Sequence, residues 1–105
     1  MQHIKNNKPK EIVPGITGYY AHGEKHTLGL VKLKAGSSVP EHHHSNEQIT
    51  YMLEGQLDMI IDNNPCTLTD GMYVIVPSDT KHSAKAITDC KLIDTFCPVR
   101  EEYRT

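Results

Sequence analysis

The sequence predicts an all-β domain, either a sandwich or a barrel of short strands. Short apolar runs recur about every 8–12 residues, with Gly, Pro, Asn or Asp between them. No stretch keeps the period of an amphipathic helix. Several runs, such as Met52-Leu53 and Ile60-Ile61, are apolar on both faces of a strand. One face of these strands can fill a barrel, while a second sheet or subunit covers the other.

Turn residues divide the chain into these strands. Residues 1–15 are polar and contain Pro9, Pro14 and Gly15, so we expect an N-terminal arm, which can still pair with an edge strand. Residues 16–105 then form the domain. The sequence Asp62-Asn63-Asn64-Pro65 is typical of a hairpin turn. The other turns are predicted at 22–25, 34–38, 54–56, 70–71 and 77–80. We predict strands at residues 16–21, 26–33, 39–44, 48–53, 57–61, 66–69, 72–76, 82–87 and 91–96.

The size and charge of the chain narrow its possible partners. With 105 residues it forms one domain whose core is modest, so we expect a homodimer. Its formal charge is -2 and it has no long basic run, which argues against nucleic acid or an anionic membrane as the main partner. It has no run of about 20 apolar residues that could span a bilayer. We therefore expect a small molecule as the ligand.

The cysteines indicate the compartment. Cys66, Cys90 and Cys97 are odd in number and lack C-x-x-C spacing. Residues 1–10 are polar and lack the apolar segment of a secretory signal. We interpret the cysteines as reduced thiols in a cytoplasmic protein.

A histidine-rich segment is the main candidate for chemistry. Alternation along an extended strand places His42, His44 and Gln48 on one face, with His43 on the other. Two imidazoles and an amide oxygen on one face begin a divalent-metal site, and His82 is the only later histidine. Such ligands suit Zn, Ni, Mn, Fe or Co without separating them. The alternative is a solvated histidine cluster on a loop.

The histidine segment and a later stretch together resemble the two motifs of the cupin superfamily over about residues 25–97. The motifs are G-x5-H-x-H-x3-E-x6-G, here with Gln in place of the usual Glu, and G-x5-P-x4-H. The resemblance implies a double-stranded β-helix, the jelly-roll β-barrel, and a metal bound by His42, His44, Gln48 and His82. The matching positions are Gly36, His42, His44, Gln48 and Gly55 in motif 1 (36–55), and Gly71, Pro77 and His82 in motif 2 (71–82).

A narrower resemblance is to pectin-degradation cupins of the KdgF type. Residues 46–55 match a phrase like H-E-Q-I-x-Y-V-L-E-G, and residues 94–103 match D-x-F-x-P-x-R-E-x-Y. This resemblance implies a metal-dependent enzyme that opens the ring of 4,5-unsaturated uronates. It implies Asp94 as general acid/base, Arg100 as the clamp for the substrate carboxylate and Phe96 as a wall of the pocket.

Other interpretations remain open at this point. Asp94 and Arg100 could form a surface ion pair at a strand end, with Phe96 as core filler. The same fold could carry a metal-dependent dioxygenase or another isomerase, although the neutral Gln48 disfavours a ferrous oxygenase, which usually has an anionic ligand. A third possibility is a non-catalytic module that binds a sugar or a metal.

Overall fold

The computed structural model describes residues 1–104, and these form ten strands and two single turns of 3-10 helix. The 3-10 turns are Ile4–Asn6 and Glu101–Tyr103. Within residues 1–104, no helix is long and apolar enough to cross a membrane. The strands are β1 (Lys10–Val13), β2 (Ile16–His22), β3 (Thr27–Leu33), β4 (Ser38–His42), β5 (Glu47–Glu54), β6 (Leu57–Ile61), β7 (Asn64–Leu68), β8 (Tyr73–Val76), β9 (His82–Ala86) and β10 (Cys90–Cys97).

The strands form two antiparallel sheets that face each other as a jelly roll, which confirms the predicted fold class. The larger sheet has the order β1-β2-β3-β10-β5-β8, and the smaller has the order β4-β9-β6-β7. Neighbours distant in sequence, such as β3 and β10, lie side by side in the larger sheet. Both inner faces contribute to one core, which comprises Ile16, Val31, Leu33, Met52, Leu57, Met59, Leu68, Val76, Ala86, Cys90 and Leu92.

The predicted strands differ from the observed ones mainly at their ends. The predicted strand 39–44 ends at His42, because the chain leaves the sheet there to reach β5. The predicted hairpin turn at Asp62 is shorter than expected. Asp62 and Asn63 alone make the turn, both with positive φ (49° and 64°), and Ile61 pairs with Asn64. This is the two-residue geometry that suits twisted strands.

The segment expected as an N-terminal arm contains a strand of the larger sheet. Within it, β1 pairs antiparallel with β2 at the sheet edge. Ile12 and Val13 pack against the core from this strand. A run of four residues between two prolines is too short for alternation to predict a strand, so this element depends on the edge that β2 offers.

One motif glycine has a clear backbone role. Gly55 follows β5 with a φ of +102°, in the region that L side chains rarely adopt. A Cβ at this position would lie 2.3 Å from the Asp89 carbonyl oxygen. Gly55 therefore lets the β5–β6 turn pass directly beneath the start of β10, which is the central strand of the candidate site.

Candidate metal centre

Three histidines converge at one end of the barrel. His42 ends β4 and His82 begins β9, and the two are cross-strand partners in the smaller sheet. His44 lies in the loop between β4 and β5. Each offers a ring nitrogen, and these atoms all lie within 4.8 Å of one another. Three ring nitrogens this close together could hold a single metal ion.

One part of the expected geometry is wrong. His42, His44 and Gln48 do not share a face of one extended strand. His42 belongs to β4 of the smaller sheet, whereas Gln48 belongs to β5 of the larger sheet, and the bend at 45–46 separates them. The ligand candidates meet because the two sheets close against each other there. His43 is exposed, as expected for its opposite direction.

The hydrogen bonds of the three imidazoles leave one nitrogen of each available. In each ring, Nδ1 lies within hydrogen-bond distance of a backbone carbonyl two residues away, so Nδ1 carries the proton and donates. Nε2 then presents its lone pair towards the other two rings. The Nδ1-to-oxygen distances are 2.9 Å from His42 to Pro40, 3.0 Å from His44 to Asn46 and 2.8 Å from His82 to Thr80.

Burial lowers the pKa of two of these rings and so favours their neutral forms. Desolvation lowers the pKa of His82 to about 4, against an opposing effect of the Thr80 carbonyl, and it also lowers the pKa of His44. Nε2 of His82 is buried and has no hydrogen-bond partner within residues 1–104. A buried nitrogen lone pair without a partner is costly. A metal ion would satisfy it, so the histidines fit the expected metal.

The orientation of Gln48 supports the same fit. Its Nε2 donates to Thr50 Oγ1 at 2.9 Å, so its Oε1 points to His44 Nε2 at 3.1 Å. Because His44 already donates from Nδ1, both facing atoms carry lone pairs. Two lone pairs facing each other at this distance would be satisfied by a metal ion bound to both atoms. The oxygen of Gln48 therefore stands where a further ligand would.

Asp94 lies in the middle of β10 beside this cluster. Thr50 Oγ1 donates to its Oδ1 at 2.6 Å, and Gln48 Nε2 lies 3.5 Å from the same oxygen. Burial raises the pKa of Asp94 to about 6, although the Thr50 hydrogen bond and the charge of Arg100 oppose the rise. Alternation along β10 places Phe96 on the same inward face, as expected.

Arg100 does not form an ion pair with Asp94. Its side chain is 8% exposed, and among the described residues its ion-pair partner is Glu102, whose side chain is 63% exposed. The guanidinium carbon lies 4.7 Å from the Tyr103 ring centre and 5.5 Å from that of Phe96. Arg100 Nε is buried without a partner within residues 1–104. The alternative of a surface Asp–Arg pair is therefore not observed.

All seven residues predicted for the site line one cavity of about 70 Å³, several times what one water needs. Sequence reasoning missed other wall residues, including Thr50, Tyr20 and Tyr103. Thr50 could have been found, because alternation along β5 places it on the face of Gln48. Nothing in the sequence pattern indicates Tyr20. The predicted residues are His42, His44, Gln48, His82, Asp94, Phe96 and Arg100.

Two further side chains hold the C-terminal segment against the cavity. Asn46 is buried, and its Nδ2 donates to the carbonyl of Pro98 at 2.6 Å. His22 Nε2 lies 3.0 Å from the carbonyl of Tyr103. These contacts connect the histidine loop and β2 to the segment that carries Arg100. The position of the buried Arg100 guanidinium therefore depends on both contacts.

Comparison with known proteins agrees with this architecture. A model of the cupin domain family matches residues 29–96. The chain is similar to KdgF from Halomonas sp., with a TM-score of 0.86 and 27% identity over 93% of this chain and 92% of KdgF. It is also similar to an RmlC-like cupin from Shewanella frigidimarina, with a TM-score of 0.90 and 25% identity over 97% of this chain and 93% of that one.

A polyketide synthase matches a shorter part of this chain. The polyketide synthase CurC from Streptomyces cyaneus is 27% identical over 63 residues, which are 59% of this chain and 41% of CurC. The match thus spans about two-fifths of that protein. The cupin model, in contrast, covers well over half of the chain and includes both histidine motifs. The histidines of those motifs line one cavity, and the chain belongs to the cupin family.

Proposed function

We propose that this cupin is a metal-dependent enzyme that opens the ring of a 4,5-unsaturated uronate monosaccharide. The observation that carries the proposal is the content of one cavity. It combines a neutral metal-ligand set, a carboxyl group with a raised pKa and a buried guanidinium. The similarity to KdgF over nearly the whole of both chains supports the choice of this reaction.

The substrate is a cyclic enol ether that bears a carboxylate, and the reaction is an isomerisation. The anomeric hydroxyl loses its proton as the bond between the anomeric carbon and the ring oxygen breaks, which forms an aldehyde. The carbon of the double bond that is not attached to the ring oxygen gains a proton, which leaves a ketone at the other carbon. Asp94, with a pKa of about 6, can both accept and donate a proton near neutral pH. Its hydrogen bond from Thr50 fixes the carboxyl group, so that Oδ2 is directed away from Thr50. We assign the proton transfers to Asp94.

The remaining residues bind and orient the substrate. His42, His44, His82 and Gln48 would hold one divalent transition metal, which would polarise substrate oxygens when bound. The guanidinium of Arg100 offers a planar fork for the substrate carboxylate, which would replace Glu102. Phe96 packs edge-on against His44, with ring centres 5.7 Å apart, and excludes water from that wall.

The test is the loss of ultraviolet absorbance of an unsaturated galacturonate. We expect turnover by the metal-loaded protein, none after EDTA, and at least a hundredfold loss in Asp94→Asn with metal still bound. Asp58→Asn is a matched control, because Thr67 donates to Asp58 at 2.9 Å on the outer face of β6. Full activity of Asp94→Asn would remove Asp94 from the mechanism.

Oxygen consumption and ligand binding, measured alongside the ultraviolet assay, separate the other candidate classes. Oxygen consumption with an iron-loaded protein would indicate a dioxygenase instead. Binding of a uronate and of metal without any turnover would indicate a non-catalytic module. Either result would overturn the proposed reaction while leaving the metal centre intact.

We also propose that two copies of the chain associate through the outer face of β5 and β8. Ile49 pairs with Ile75 and Tyr51 with Tyr73 across these strands, and all four side chains are exposed. They form a contiguous apolar surface beside β8, which is the edge strand of its sheet. Such a surface on a small domain is typical of a protein–protein interface.

A further inference from the structure

Tyr20 brings a polar group to the cavity wall that the larger sheet forms. It lies on β2, is 7% exposed and lines the same cavity as the candidate ligands. In the larger sheet it pairs with Gly29, and Gly29 pairs with Asp94. Tyr20, Gly29 and Asp94 therefore form one row across three neighbouring strands. Since Gly29 has no side chain, no side chain of β3 in this row separates the Tyr20 ring from Asp94.

Two glycines make room for this ring. A Cβ at Gly18 would lie 2.4 Å from the Tyr20 hydroxyl oxygen, and a Cβ at Gly29 would lie 2.5 Å from a ring carbon. Both distances are too short for any side chain. Glycine in the interior of a strand weakens it and often marks a close approach. The ring of Tyr20 therefore lies flat over both strands, with its hydroxyl group above Gly18.

Within residues 1–104 the hydroxyl group of Tyr20 makes no hydrogen bond, and its oxygen is not fully enclosed, so it faces the cavity. The other residues that line this wall from β1, β2 and β3 are apolar, namely Ile12, Ile16, Val31 and Leu33. The ring stacks on Tyr103 with centres 4.6 Å apart, which keeps it in place. Buried tyrosine hydroxyls usually have a partner. Here the cavity is where that partner can bind.

We propose that Tyr20 is a specificity-determining residue whose hydroxyl group hydrogen-bonds a ring hydroxyl of the substrate. This inference rests on the proposed function, because it assigns the substrate class as a polyhydroxylated cyclic acid. Tyr20 starts in the row of Asp94, and its hydroxyl group lies over Gly18 in the next row, so a sugar ring held at Asp94 that extends into the cavity meets this hydroxyl group. A site that hydrogen-bonds a hydroxyl group discriminates against analogues that lack it.

The test compares two non-reacting acids by titration calorimetry with the metal-loaded full chain. D-Galacturonate carries ring hydroxyls, whereas tetrahydropyran-2-carboxylate has the same type of ring and carboxylate without them. In Tyr20→Phe the ring and its stacking remain, and only the hydroxyl group is lost. We expect galacturonate to bind about fivefold to tenfold more weakly, and tetrahydropyran-2-carboxylate to bind with an affinity changed by less than about twofold.

Tyr19→Phe is the matched control, because Tyr19 lies on the opposite face of β2 and should change neither affinity. Equal weakening of both acids in Tyr20→Phe would indicate a packing role and overturn the inference. An unchanged galacturonate affinity would also overturn it, as would failure of the unmodified protein to bind galacturonate. If both acids bind as expected but an unsaturated uronate is not turned over, the role of Tyr20 is supported and the proposed reaction is contradicted.

Discussion

The half-buried carboxyl group of Asp94 has a measurable consequence for stability. In the unfolded chain its pKa is near the ordinary value of 3.8, whereas burial raises the pKa in the folded protein to about 6. Between these two values the unfolded chain has lost the proton that the folded protein still holds. The free energy of unfolding therefore falls as pH rises from about 4 to about 6, and stays lower above that.

The size of this effect follows from the two pKa values. At about 1.4 kcal/mol per pH unit, their difference corresponds to about 3 kcal/mol at neutral pH. This is an upper bound, because the carboxyl group faces the cavity and keeps some contact with water. Asp94→Asn removes the ionisation, and the Asn oxygen can still accept from Thr50. The variant should be more stable than the unmodified protein above about pH 6, by up to that amount.

Urea unfolding of EDTA-treated protein, between about pH 4 and pH 8, provides the measurement. The stability difference between Asp94→Asn and the unmodified protein should be small near pH 4, grow towards pH 6 and then level off. Asp58→Asn removes a carboxylate with the same threonine contact on the outer face, and controls for the loss of charge. A difference that does not vary with pH, or an Asn variant that is less stable at pH 7, would refute the reasoning.

Three other predictions concern the metal, the guanidinium and the apolar surface. His82→Ala should reduce bound transition metal from equimolar to trace amounts by elemental analysis, whereas His43→Ala should not. Glu102→Gln should free the guanidinium and tighten galacturonate binding about threefold in calorimetry, with Glu101→Gln, on the same 3-10 turn, unchanged. Ile75→Asp should convert a dimer to a monomer by light scattering; a monomeric unmodified protein would contradict the proposed interface.

Sequence patterns located most strands because the signal for a strand and the signal for its end are both local. Alternation marks the strand, and Gly, Pro, Asn or Asp marks its end. The hairpin at Asp62 and Asn63 is such a case, since both residues tolerate positive φ. The strand at Lys10–Val13 lacks a local signal and exists because β2 offers an unpaired edge. Elements of this kind require the topology to be known first.

The candidate site was predicted as a set of residues but not as a geometry. Motif spacing brought His42, His44 and His82 into one hypothesis, yet the pairing of His42 with His82 is a property of the β4–β9 register. The partner of Arg100 also depends on the three-dimensional structure: the guanidinium pairs with Glu102 and contacts two aromatic rings, and within residues 1–104 it forms no ion pair with Asp94. Charge in the sequence alone favours neither carboxylate.

The structure also gives a reason for Gln rather than Glu at position 48. The Gln48 amide group donates to Thr50, and the Thr50 hydroxyl group donates in turn to Asp94. A carboxylate at position 48 would have no proton for Thr50, whose single hydroxyl proton would then face two carboxylates. The second oxygen of such a carboxylate would stand in the place of Gln48 Nε2, 3.5 Å from Oδ1 of Asp94, where two negative charges repel each other. The amide at 48 thus fits the carboxyl group at 94.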